Sequence, residues 1–87
     1  MTQQIAQLTT NEALVLQQVF EDGEDDARTL ARSSGLSRRH ALEIITRLKK
    51  KGLVSISDSY GDLWVSMTAK GKQLMRYLWP EARSYAQ

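Results

Sequence analysis

Hydrophobic positions along the chain change period twice. Up to about residue 51 they recur at helical spacing, from 53 to 67 they alternate, and after 68 the helical spacing returns. Val15, Leu16, Val19 and Phe20 form a first helical stripe. Thr9 and Glu12 have the form of a capping box at its start, hydroxyl and carboxylate each satisfying an amide at the helix end. Leu14 points away from that stripe. Glu21 to Asp26 (EDGEDD) then breaks the pattern and is expected to be a solvated acidic loop, since it lacks the ligand spacing of a calcium loop. Leu30 and Ala31 supply the apolar side of a short second helix, with Asp25 or Asp26 placed to cap it. Ser34-Gly35 interrupts, Leu36 returns an apolar anchor, and Ser37 is a good cap for a third helix over about 37–51. There Ala41, Ile44, Ile45 and Leu48 fall at i, i+3, i+4 and i+7, one buried face. Lys49-Lys50-Lys51-Gly52 closes the helix, with cations at the negative end of its dipole.

In the alternating stretch, Val54 and Ile56, then Leu63, Val65 and Met67, take one face. Ser55, Ser57, Trp64 and Ser66 take the other, and Trp64 is read as cover for a neighbouring element. The turn-forming cluster Asp58-Ser59-Tyr60-Gly61-Asp62 joins the two runs into a β-hairpin. Thr68 can cap a last helix striped by Leu74, Met75 and Leu78, which Pro80 ends or kinks. The order α-α-α-β-β-α makes a mainly α fold with a small β-hairpin, a winged helix-turn-helix. Residues 1–87 are expected to be a single domain, with residues 1–8 frayed.

Two helices joined by a short turn containing glycine can place the second in a DNA major groove. Charge supports that reading. Residues 1–26 carry six acidic groups and no Lys or Arg, whereas residues 27–54 carry eight Lys and Arg against Glu43 alone. Such segregation is the electrostatic footprint of a nucleic-acid binder. With the apolar face inward, Arg39, Glu43, Thr46 and Lys50 project outward, Arg47 flanks them, and Arg38 and His40 stand at the N-terminal end. Arg38 and Arg39 occupy the end that usually meets base edges, where Arg pairs bidentately with guanine. Glu43 can accept from cytosine or hold Arg39 or Arg47; Thr46 and Lys50 are expected to meet the DNA backbone. His40 is expected to be exposed or to touch phosphate. Arg28 and Arg32, on the preceding helix, are phosphate candidates or a balance to the acidic loop. Leu14, Tyr77 and Trp79, off the buried stripes, are the candidate dimer face.

Other classes are disfavoured. No apolar run approaches the ~18 residues of a membrane span, residues 1–9 lack the form of a signal peptide, and a cytoplasmic protein is expected. Without Cys, and with a single His, there is no expected metal site, cofactor or catalytic constellation, and no enzyme is read here. The rival reading is a winged helix used as a protein-interaction module that never reads DNA.

The residues also resemble the MarR-type winged-helix regulators. Leu8-Thr9, Glu12, Val15-Leu16 and Val19 are similar to that family's opening. Leu30-Ala31, Gly35-Leu36-Ser37 and Leu48-Lys49-Lys50-Lys51-Gly52-Leu53-Val54 continue the likeness, and Met67-Thr68-Ala69-Lys70-Gly71 is similar to its strand-to-helix junction. The resemblance covers about residues 8–75 and implies double-stranded DNA as partner, a homodimer, and transcriptional control. Two departures stand out. The family carries further helices at both ends that build the dimer and the effector pocket; few residues remain for them here, which weighs against a small-molecule effector. Its wing usually carries Arg or Lys near the tip, where this chain has Asp58 and Asp62. Those carboxylates are expected to keep the wing off phosphate.

Overall fold

Each helix begins where the sequence supplies a side chain to hold its first free amides. The computed structural model describes residues 8–59 and 61–78. They form α1 (Thr10–Asp22), β1 (Glu24–Asp26), α2 (Ala27–Ser34), α3 (Arg38–Lys50), β2 (Val54–Ser59), β3 (Asp62–Met67) and α4 (Ala69–Leu78). Thr9 Oγ1 accepts from the Glu12 amide at 3.1 Å while Glu12 Oε1 accepts from the Thr9 amide at 3.1 Å, closing the capping box. Asp26, rather than Asp25, caps α2 by accepting from the Thr29 amide at 2.8 Å. Ser37 caps α3 through the His40 amide, and Thr68 caps α4 through the Gly71 amide. Between α2 and α3 the chain turns at Gly35, whose φ of 69° is a left-handed conformation that costs glycine little. The expected frayed segment, apart from Leu8, and Trp79 and Pro80 lie outside the described residues.

Val15, Leu16 and Val19 of α1 pack with Leu30 of α2 and with Ile44, Ile45 and Leu48 of α3. Leu53, Val54, Val65 and Met75 extend that core under the sheet and α4. Each fully buried Leu or Ile contributes about 2 kcal/mol of transfer free energy, so the stripes read from the sequence are the main source of stability.

The acidic stretch departs from expectation. It is no loop: after Gly23 ends α1, Glu24–Asp26 runs antiparallel to β3, pairing Glu24 with Ser66, Asp25 with Val65 and Asp26 with Trp64. The hairpin therefore becomes a three-stranded sheet in the order β1-β3-β2. Extended backbone beside β3 gives these residues ladder hydrogen bonds, which outweigh the poor strand propensity of Glu and Asp. Alternation then turns Asp25 inward, on the face of Val65, with only 8% of its surface exposed. Its Oδ2 has no hydrogen-bond partner. Burial, then a hydrogen bond and like charge from Asp22 and the charge of Asp26, push the Asp25 carboxyl up to about 7.

The junction of β3 with α4 clasps the far end of α3. Thr68 Oγ1 donates to the Gly52 carbonyl at 2.7 Å, the Thr68 amide to the Leu53 carbonyl at 3.2 Å, and Lys70 Nζ to the Lys51 carbonyl at 3.0 Å. Gly71 is buried against this corner, and a Cβ there would collide with the Leu53 carbonyl oxygen. The Thr-Ala-Lys-Gly sequence is thus a set of contacts to one corner.

Candidate nucleic-acid interface

The candidate interface lies on α3, whose two faces differ sharply in burial. Ala41, Ile44, Ile45 and Leu48 are fully buried. On the opposite side Arg39, Glu43, Thr46 and Lys50 are exposed, and the Arg39 side chain retains 92% of its surface. Arg39 Nε lies 4.0 Å from Glu43 Oε2 one turn on, a weak surface pair that steers the guanidinium without holding it. Arg38, Arg39, Leu42, Glu43 and Thr46 line a shallow hollow along this side. Leu42 is half-buried within that polar surface. Thr46 Oγ1 donates to the Leu42 carbonyl at 2.8 Å, which commits its one hydroxyl proton and leaves the oxygen as an acceptor and the methyl group as an apolar contact.

Other cations of the motif are engaged by carboxylates. Glu12, 2% exposed, accepts from Lys51 Nζ at 2.8 Å and lies 3.9 Å from Arg47 Nη1. Glu43 therefore does not hold Arg47, which turns toward α1 instead. Burial acts to raise the Glu12 carboxyl, but hydrogen bonds from Lys51 and the Thr9 amide, with the charges of Lys51 and Arg47, hold it below the usual range. The sequence announced Glu12 only as a cap, because its second partner lies 39 residues away.

At the N-terminal end of α3 the partner is Asp62. Its Oδ1 accepts from Arg38 Nη2 at 3.1 Å and from the Leu63 amide at 2.8 Å, while Oδ2 accepts from the Arg28 amide at 3.3 Å. Burial opposes ionisation, yet the Leu63 amide, Arg38 and the Arg28 amide keep the Asp62 carboxyl below its ordinary value. Of the two wing-tip carboxylates expected to repel phosphate, Asp58 is exposed, but Asp62 is turned back onto the helix-turn-helix. Trp64 is half-buried, its Nε1 donating to the Ser59 carbonyl at 3.1 Å, so it braces the hairpin itself.

The remaining candidates are dispersed. His40 is half-buried rather than exposed, and Arg28, Arg32, Lys49 and Lys50 are exposed. Leu14 on α1 and Tyr77 on α4 keep 49% and 67% of their surface, whereas Trp79 falls outside the described residues. Among the described residues no group of His, Cys, Asp or Glu is placed to hold a metal ion, and no helix is long and apolar enough to cross a membrane.

Similar structures share this architecture. The regulator BpsR of Bordetella bronchiseptica, whose DNA binding is described as regulated by 6-hydroxynicotinic acid, superposes with a TM-score of 0.78 at 22% identity, over 91% of this chain and 58% of that one. NadR in complex with 4-hydroxyphenylacetate gives 0.77 at 25% identity, over 88% and 57%. The PcaV transcriptional regulator of Streptomyces coelicolor gives 0.77 at 25%, over 84% and 56%. These are winged-helix regulators of the MarR type, so the resemblance read in the residues holds for the fold. The chain spans less than two thirds of the length of each. No curated protein matches the chain in sequence. The family model described as sugar-specific transcriptional regulator TrmB matches residues 3–81. With nearly the whole sequence covered, the chain belongs to the TrmB family of transcriptional regulators.

Proposed function

We infer that the protein binds double-stranded DNA with α3 in the major groove and acts in the cytoplasm as a transcriptional regulator without enzymatic activity. One observation carries this reading. The face of α3 opposite the core is a continuous exposed surface of Arg39, Glu43, Thr46 and Lys50, while Arg47, Lys51 and Arg38 are paired with carboxylates of the scaffold. Arg39, long and nearly unencumbered, suits a guanine edge; Lys50 suits a phosphate. Leu42 and the Thr46 methyl group suit the methyl of thymine. His40, Arg28 and Arg32 stay as phosphate contacts of lower rank, and Arg47 is a weaker candidate than the sequence suggested. A winged helix serving only protein contacts is not favoured, given a family of transcriptional regulators.

The test is binding to duplex DNA over a salt series. Arg39→Ala is expected to weaken the preferred sequence by about 1–3 kcal/mol and relax discrimination at one base pair. Lys50→Ala is expected to weaken all duplexes alike and to flatten the salt slope by about one unit. Wild-type affinity in both variants would reject α3 as the reading element.

The proposed working form is a homodimer in which Leu14 and Tyr77, with Trp79, contribute to the contact, since two recognition helices one DNA turn (~34 Å) apart fit a two-fold operator. Sedimentation at micromolar concentration checks this, and a folded monomer contradicts it. A small-molecule effector also belongs to the proposal more firmly than the sequence suggested. NadR is described with 4-hydroxyphenylacetate bound, and the family is described as sugar-specific.

A further inference from the structure

We propose that Asp62 is a positioning residue for DNA recognition, acting through Arg38; this rests on the reading of α3 as the DNA-binding helix. The carboxylate stands at the start of β3, where the Ser59–Asp62 pair is the last rung of the β2–β3 ladder before the wing tip. From there it reaches three elements. The Leu63 amide fixes its rotamer from within the wing, the Arg28 amide is an otherwise free donor in the first turn of α2, and Arg38 is the first residue of α3. One side chain therefore joins the wing to the N-terminal ends of both helices of the motif. Neither partner in the helices is within twenty residues of it in sequence.

The consequence for DNA follows from the guanidinium. Arg38 offers five N–H donors in a rigid fork, and Asp62 engages it at Nη2. The side chain stays half-exposed. An arginine oriented at one edge by a carboxylate presents its remaining donors in a fixed direction, at the end of α3 nearest the bases. Less rotamer freedom is then lost on contact. Asp62 also spends its negative charge on Arg38 and two amides, so its presence beside phosphate costs little. Asp58, exposed on β2, has no such partner among the described residues. Two acids of one hairpin thus have opposite effects on binding.

The signs make the proposal testable. Removing an acid near DNA should tighten binding if charge alone matters, and should weaken it if the acid positions an arginine. The probes are a duplex enriched on the full wild-type chain from a random-sequence library and a scrambled duplex of the same composition. Asp62→Asn keeps an oxygen that can accept from the Leu63 or Arg28 amide and loses the ion pair. It is expected to weaken the enriched duplex by about three- to tenfold, to lower the enriched-to-scrambled ratio, and to leave the urea midpoint near that of wild type. In an Arg38→Ala background the same change is expected to cost nothing further, and Asp58→Asn alone to leave binding unchanged or slightly tighter. If Asp62→Asn does not fold, Asp62→Glu, which keeps the charge and displaces it by one methylene, is expected to show the same loss of discrimination. Asp62→Asn binding as tightly as wild type, or losing the same factor with Arg38 absent, overturns the proposal. If at the same time Arg39→Ala still loses discrimination, the recognition-helix reading survives and only the role of Asp62 falls. A wild-type chain that prefers no duplex overturns both.

Discussion

The two ends of α1 each bury a carboxylate, and they treat it in opposite ways. Glu12, in the first turn, receives two hydrogen bonds and a second cation, and its pKa falls. Asp25, just past the last turn, faces the acids Asp22 and Asp26 and keeps an oxygen without a partner, and burial with these neighbours pushes its carboxyl up to about 7. Burial acts to raise both carboxyls, so it does not account for the difference between them. The partners do: a buried charge is tolerable when the neighbouring groups replace water, and a strained resource when they do not. The satisfied end locks α1 to the C-terminal end of α3 and so helps hold the recognition helix. The unsatisfied end sits where β1 meets β3, next to the cap of α2.

The sharpest way to break this contrast is to make Glu12 resemble Asp25. Lys51→Met removes the ammonium at 2.8 Å and leaves the carboxylate buried with weaker support. A loss of about 3 kcal/mol in urea unfolding is expected. A loss under about 1 kcal/mol would mean that Glu12 finds water or Arg47 as a substitute, and that the pair is no more than a surface bridge.

The reverse change is smaller. Asp25→Asn removes a group that resists ionisation, and is expected to stabilise the fold by about 1–3 kcal/mol at pH 8. The sign follows from linkage. Asp25 binds its proton more tightly folded, near 7, than unfolded, near 3.8, so its favourable contribution is complete below pH 3.8 and is lost as pH rises through about 7. Glu12, lowered from 4.5, contributes above that value and loses its contribution as pH falls through the lower folded value. Wild-type stability should therefore peak on the acid side of neutrality, and Asp25→Asn should flatten the decline between pH 5 and pH 8. Parallel unfolding curves for wild type and variant across that range would show that Asp25 ionises freely.

The contrast was only half legible in the residues. Thr9, Ser37 and Thr68 each announce a helix because the hydrogen bond they make closes within three residues, and the apolar stripes announce the core because their period is local. The pairing of Glu24 with Ser66 spans the whole motif, and three acidic residues carry no strand signal of their own. For the same reason Asp62 reads as a repulsive wing tip until Arg28 and Arg38 are folded against it. Arg39 and Glu43, whose contact lies one turn apart, stand exposed on α3 where the helical period puts them. Arg47 and Asp62 meet partners distant in sequence, which no local pattern announces.

The short strand β1 has one more consequence. It hydrogen-bonds to β3 and runs without a break into α2, so the backbone of the helix-turn-helix is stitched directly to the wing. A hairpin joined to its domain at one edge could swing on its own; this one is covered on β3 by a strand that is itself the root of α2. A displacement of α2 is therefore passed straight to the hairpin, because the strand that roots the helix is also the strand that edges β3, and the two travel as coupled wheels on one axle.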